Sequence, residues 1–318
     1  MKELTRTETA GFFREHDRYC ILTHRRPDGD TLGSSAALCR GLRTLGKEAW
    51  ILANPEITNK YRALHTGLTV DTCPEDAVVV TVDVASESLL GSAVSLLPKV
   101  ALAIDHHGSN TRFAPQGIVD PHSAACGELI WEILMELGVT LDKPMAEAVY
   151  TAISADTGCF RYSNTTAQTM RAAAACLDAG ADNYSINKAL FETNTFSRLR
   201  MDAYLTEHLE FLAGGTIALV RIPLEVEREC AVTEDDMESV SNFARNVEGV
   251  QLAVTFRTDK TGATKLSVRS APGYDASAVC ARLGGGGHKA AAGARVECDQ
   301  QQAHDRIVEI LKEQGYLK

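Results

Sequence analysis

Four short stretches of the sequence carry acids and imidazoles that could act together: HRRPDGD at 24–30, TVDVAS at 81–86, AIDHHGSN at 103–110 and ISADTG at 153–158. His24, Asp28 and Asp30 fall close together, Asp83 stands alone, and Asp105 is followed directly by His106 and His107. Carboxylates that converge repel one another and raise one another's pKa once desolvated, so they need a counter-charge. A divalent cation supplies it. Asp28, Asp30, Asp83, Asp105 and Asp156, with the three histidines, offer hard oxygen and intermediate nitrogen donors together. That is too many for one tetrahedral zinc but suits two metals sharing a bridging carboxylate, with Mn²⁺ favoured over Co²⁺, Zn²⁺ or Mg²⁺. Asp83 is the expected bridge. Pro27 stiffens the entry to the first stretch, and Gly29 is expected to turn the chain sharply so that Asp28 and Asp30 address two different ions. Each stretch alone also reads as surface, since Pro-Asp-Gly is an ordinary turn signal. Together they predict one object.

The elements that must position these groups alternate strand and helix. YCILTH at 19–24, EAWILA at 48–53, AVVVTVDV at 77–84 and VALAID at 100–105 read as buried strands. LGSSAALCRGLRTLG at 32–46 reads as a helix, and three further helical patterns follow the last of these strands. Apolar β-branched runs separated by helices predict an α/β fold: a mostly parallel sheet covered on both faces by helices. In such sheets ligands collect at the carboxyl ends of the strands, which is where the acids and imidazoles fall. Residues 182–213 read as mostly helical and stop at a double glycine, Gly214–Gly215. Beyond it TIALVRIP, VQLAVTFRT, TKLSVRS and ARVEC read as strands, and TEDDMESVSNFARNV as a capped acidic helix. The expected organisation is a catalytic domain over 1–190, a helical linker over 191–213 and a smaller C-terminal α+β substrate domain over 214–318, with the active site in the cleft between the domains.

The composition bounds the partners. Thirty-two basic against forty-two acidic side chains give a net charge of −10, which argues against long-range attraction to a nucleic-acid polyanion and so against long duplex DNA as a partner. Nine scattered cysteines with no CxxC pair point to reduced thiols, and the first twenty residues hold no apolar signal core, so a cytoplasmic protein with no membrane partner is expected.

With these four segments, and with KLSVRS at 265–270 and GGGGHKAAAG at 284–293, the chain resembles the DHH phosphoesterase superfamily, which includes RecJ-type nucleases and manganese-dependent inorganic pyrophosphatases. The C-terminal pair resembles its DHH-associated substrate domain. HRRPDGD and DTGCFRYSNTT at 156–166 make the chain most similar to the nanoRNase and pAp-phosphatase branch. The resemblance implies that His24, Asp28 and Asp83 hold one metal and that Asp30, Asp83, His106 and Asp156 hold a second. It also implies that Asp105 orients an imidazole and that His107 faces the phosphate, stabilising charge or protonating the leaving oxygen. Arg269, Ser270, Gly285, Gly286, Gly287 and His288 would contact the substrate. The implied activity is hydrolysis of very short RNA to mononucleotides, extending to removal of the 3′-phosphate from 3′-phosphoadenosine 5′-phosphate. Cleavage of cyclic di-AMP or linear pApA is the main alternative. A RecJ-like single-strand exonuclease and a non-catalytic nucleotide-binding regulator are weaker ones. Relatives suggest a homodimer.

Overall fold

A computed structural model describes residues 1–237 and 239–317. The chain divides into two units, Met1–Thr193 and Asn194–Lys318.

The first unit holds strands β1 (Lys2–Glu3), β2 (Arg18–Leu22), β3 (Glu48–Leu52), β4 (Thr69–Val70), β5 (Val78–Val82), β6 (Val100–Asp105) and β7 (Gln116–Val119). They form one sheet in the order β1-β7-β6-β5-β2-β3-β4, and every pairing in it is parallel. The chain leaves β2 towards β3 and β4, then returns to the other side of β2 with β5. That reversal opens a crevice at the strands' carboxyl ends. Helices α1 (Arg6–Glu15), α2 (Gly29–Thr44), α3 (Cys126–Glu136), α4 (Lys143–Asp156), α5 (Ala167–Asp178) and α6 (Asn183–Asn187) complete the unit. Leu38, Leu42, Leu129, Ile133, Val149 and Ile153 bury the helices' apolar sides against Ile21, Val80 and Ile104 of the sheet.

The first-turn residues of α2 correct one sequence expectation. Asp28 is the helix's N-cap, its carboxylate accepting from the N–H groups of Asp30 and Thr31, so the helix begins before the Leu32 that opens the sequence-derived helix. Gly29 lies inside the first turn and is not the hinge of a loop. Glycine is required there for another reason: a Cβ at Gly29 would lie 2.6 Å from the Ala155 side chain, and one at Gly33 would lie 2.3 Å from the Ala148 carbonyl oxygen. The two glycines, four residues apart on one face, let α2 lie against α4 almost backbone to backbone.

The second unit holds α7 (Phe196–Glu207), β8 (Glu210–Leu212), β9 (Ile217–Ile222), α8 (Leu224–Cys230), α9 (Glu234–Met237), β10 (Leu252–Thr258), β11 (Thr264–Ser270), α10 (Ala276–Ala281), β12 (Gly286–Gly287), β13 (Ala291–Val296) and α11 (Gln300–Glu313). Its sheet runs β12-β13-β11-β10-β9-β8, with only β9 and β10 parallel. Met201 and Leu205 of α7 are fully buried against Val220 and Ile222. Residues 194–213, within the stretch read as a linker over 191–213, contribute a helix and an edge strand to this unit, with apolar side chains covering a sheet face. The acidic helix expected near 233–247 is broken instead into α9 and tight turns at Val240–Asn242 and Ala244–Asn246; Glu238 lies outside the described residues. No helix among the described residues is long and apolar enough to cross a membrane.

Two stability measurements test this packing. Gly33→Ala is expected to cost about 1–3 kcal/mol by overpacking the α2–α4 contact, read by urea denaturation; an unchanged midpoint would refute so close an approach. His65, 4% exposed, has Nε2 within 3.1 Å of the Leu32 carbonyl, and burial pulls its pKa from 6.5 to about 4. Below pH 6.5 the unfolded chain takes up a proton that the folded ring refuses. Stability is therefore full above that pH, and about 3 kcal/mol is lost as pH falls towards 4. Subtracting the profile of His65→Gln should isolate this slope, and a flat difference over the window counts against it.

Candidate active site

β2, β5 and β6 are neighbours, with β5 in the middle, and neighbouring strands lie about 4.8 Å apart. The residues that leave their carboxyl ends must meet. Asp83, directly after β5 and only 2% exposed, has φ of 60°, a left-handed conformation that a non-glycine residue adopts at a cost of order 1–3 kcal/mol. Its N–H donates to the Ile104 carbonyl over 2.8 Å, which holds the turn. In that pose Asp83 Oδ2 lies 3.5 Å from His24 Nε2 and Oδ1 lies 3.6 Å from His106 Nε2. One carboxylate faces two imidazoles with its two oxygens. Asp28 Oδ1 is 3.6 Å from His24 Nε2, while Asp30 Oδ2 and Asp156 Oδ2 are 3.6 and 3.4 Å from His106 Nε2.

The other nitrogen of each ring is already engaged. His24 Nδ1 is 2.8 Å from the Arg25 carbonyl, and His106 Nδ1 is 3.2 Å from that of Ser123. A carbonyl only accepts, so Nδ1 carries the proton and Nε2 is the nitrogen turned to the acids, as in imidazoles that ligate metals. Distances of 3.4–3.6 Å are too long for hydrogen bonds between these groups.

The donor set fits divalent cations. His24, Asp28 and Asp83 form one cluster with ligand atoms within 4.8 Å of one another, and Asp30, His106 and Asp156 form another. Asp83 Oδ1 is buried with no hydrogen-bond partner among the described residues. Burial, then the charges of Asp83 and Asp156, push the Asp30 carboxyl well above the usual carboxylate range. A cation removes both penalties. Asp83, His106 and His107 also come together as a possible donor group.

Asp30 has a second task. Its oxygens accept from the N–H groups of Cys126 and Gly127 over 2.7 and 2.9 Å, and from the Ser34 hydroxyl over 3.0 Å. The N-cap residue of α3, Ala125, has no capping side chain, so Asp30 caps that helix from α2. Asp105, fully buried, accepts from the N–H groups of His106 and His107 and from His107 Nδ1 at 2.8 Å. Its remaining oxygen accepts from Asn110 Nδ2 at 2.6 Å. Asn110 also donates to the Val84 carbonyl and accepts from the Arg112 N–H, tying the end of β5 to the end of β6. In the sequence, the one signal for this role is an amide closing the AIDHHGSN stretch.

In the second unit, Arg269 Nε donates to the Asn242 side chain at 3.0 Å. The Ser270 hydroxyl donates to the Lys289 carbonyl at 2.5 Å and is buried, so it holds the turn after the glycine run. That run is not a flexible loop: Gly286 and Gly287 are β12, the edge strand paired with Gly293 and Ala292. A Cβ at Gly285 would lie 2.2 Å from the Gly293 carbonyl oxygen. His288 is exposed and its backbone closes the hairpin with Ala291.

Removing the Asn110 amide leaves the buried Asp105 and Val84 oxygens short of donors, at about 1–3 kcal/mol per group. Asn110→Asp, which sets a second carboxylate against Asp105, is expected to destabilise more than Asn110→Ala in urea denaturation. The opposite order would show that the amide does not serve Asp105.

Comparison with known proteins identifies the family. Residues 18–153 match the DHH family N-terminal domain and residues 220–314 match the DHHA1 domain. The chain is 35% identical to the bifunctional oligoribonuclease and PAP phosphatase NrnA of Thermus thermophilus over 93% of its own length and 91% of the relative's. It is 25% identical to the protein of the same name from Mycoplasma genitalium over 99% and 100% of the two chains. A crystal structure of an exopolyphosphatase-related protein from Bacteroides fragilis shares the fold, with a TM-score of 0.88 at 22% identity over 97% of this chain and 95% of that one. With a DHH domain carrying the acids and imidazoles and a DHHA1 domain following it, this chain belongs to the DHH phosphoesterase family, in its NrnA branch.

Proposed function

We propose that the protein hydrolyses very short oligoribonucleotides to mononucleotides and removes the 3′-phosphate from 3′-phosphoadenosine 5′-phosphate, with two divalent cations, Mn²⁺ in preference. One observation carries this reading: Asp83 presents its two oxygens to two separate imidazole-acid clusters, and its buried Oδ1 has no hydrogen-bond partner among the described residues. His24, Asp28 and Asp83 would hold one cation, and Asp30, Asp83, His106 and Asp156 the other. When bound, such a pair lowers the pKa of water and offsets charge on phosphoryl oxygens. Asp105 fixes the orientation of His107 through Nδ1, and His107 would stabilise a phosphoryl oxygen or protonate the leaving one. Arg269, His288 and the backbone of Gly285, Gly286 and Gly287 supply contacts to a second phosphate or ribose, with Ser270 holding their turn. A homodimer in the cytoplasm is part of the proposal; the family resemblance supports the first, and nine unpaired cysteines suit a reducing compartment.

The deciding assay presents the protein and Mn²⁺ with a 5′-labelled diribonucleotide, 3′-phosphoadenosine 5′-phosphate, cyclic di-AMP, pyrophosphate and a long single strand. Mononucleotide release from the dinucleotide is the expected preference. Exclusive cleavage of pyrophosphate, or tight nucleotide binding with no turnover, would overturn it. Asp83→Asn is expected to lower turnover at least about a hundredfold and to weaken Mn²⁺ binding in calorimetry, whereas His288→Ala should raise KM with kcat little changed. The reverse pattern would refute this division of labour.

A further inference from the structure

Immediately after Asp156 the chain adopts three consecutive left-handed residues, Gly158, Cys159 and Phe160, with φ of 55°, 60° and 61°. Two of them are not glycine, and such strain persists only where the surroundings impose it. Here they do. The Cys159 N–H donates to the Ser154 carbonyl over 2.8 Å, the Phe160 N–H to the Thr157 hydroxyl over 3.0 Å, and the Phe160 ring packs on Tyr150 with centroids 5.6 Å apart. The N–H groups of Arg161 and Tyr162 both return to the Thr157 carbonyl. Asn164 Nδ2 donates to the carbonyls of Asp156 and Ala124, over 3.2 and 2.9 Å, which anchors the far side of the loop to the metal-facing end of α4 and to the entry of α3.

This strained and anchored loop delivers two exposed side chains. The Tyr162 ring lies flat against Gly158: a Cβ built there would fall 2.3 Å from the ring's Cζ and 2.6 Å from both Cε atoms. One ring face is thus covered by backbone. The residue is nonetheless 39% exposed, and its hydroxyl makes no hydrogen bond among the described residues. An aromatic ring backed by glycine on one face, in a residue still 39% exposed, can serve as a stacking platform. Beside it the Arg161 guanidinium is tied to the Gly158 carbonyl at 2.5 Å and lies 5.5 Å from the Phe191 ring centroid.

We propose that Tyr162 is a specificity-determining residue that stacks on a nucleobase of the substrate whose phosphate lies at the Asp156 end of the site. The proposal rests on the phosphoesterase reading above and adds the chemical class that the loop selects: phosphate esters carrying a flat heterocycle, in preference to esters without one. Every base has a π-face, so the platform accepts purines and pyrimidines alike.

The test compares wild type, Tyr162→Phe and Tyr162→Leu, with Mn²⁺, on a diribonucleotide and on its abasic analogue, which keeps the phosphate and riboses but has no ring to stack, alongside inhibition by AMP and by inorganic phosphate. Leucine still fills the space over Gly158 but has no π-face, so it separates stacking from loop packing. Tyr162→Leu is expected to raise KM for the dinucleotide about tenfold, with kcat within about twofold, and to weaken inhibition by AMP to a similar degree. Phenylalanine should behave as wild type, and inhibition by inorganic phosphate should be the same in all three. A dinucleotide KM in Tyr162→Leu equal to wild type overturns the stacking role and leaves the phosphoesterase reading standing. An equal loss of phosphate inhibition also overturns it, by showing a general disturbance of the site. A wild-type protein inactive on both esters overturns the phosphoesterase reading and this inference with it.

Discussion

A buried carboxylate with an unmatched oxygen is among the least comfortable objects a protein can hold, and the first unit is organised around one. Asp83 sits in a left-handed conformation at the end of the sheet's middle strand, between imidazoles contributed by the strands on either side. Its position follows from strand order. Because β5 lies between β6 and β2, the group after β5 is flanked on both sides, and no other strand end offers that symmetry between His24 and His106. The carbonyls of Arg25 and Ser123 then decide which nitrogen each imidazole turns inward.

The helices add the remaining acids, and they do so as a set. Asp28 and Asp30 belong to the start of α2, Asp156 to the end of α4, and Gly29 and Gly33 let those two helices approach closely, Gly33 against the α4 backbone and Gly29 against Ala155. Asp30 binds the first N–H groups of α3, so a third helix is registered against the same carboxylate. Around β6, Asp105 and Asn110 lock the two neighbouring histidines to the end of β5.

Much of this was legible in the residues. Apolar strands ending in acids and imidazoles pointed to the carboxyl ends of a parallel sheet, where the structure brings those groups together, and the solitary Asp83 suggested a shared carboxylate. Other features were hidden because sequence does not display distances. Gly29 reads as a turn residue beside Pro27, yet its neighbour in space is Ala155. The glycine run at 284–287 does not announce a strand, yet Gly286 and Gly287 pair with Gly293 and Ala292, and Gly287 lies close against that backbone. The segment 191–213 looked like a linker because its apolar spacing does not say which sheet it will cover. Asn110 and Asn164 were visible as letters, but an amide acquires its meaning only from the carbonyls it reaches.

The contact between α2 and α4 is made where Gly33 meets the α4 backbone and Gly29 meets the Ala155 methyl, so neither position leaves room for a side chain. Side-chain volume at positions 29 and 33 is therefore a dial that turns in one direction. Larger residues can only wedge the helices apart, parting the acids that each carries, while no replacement draws them nearer. Any attempt to re-tune the pocket for an ion of different radius would have to work through the strand ends, where loops can give, and leave this seam as it stands.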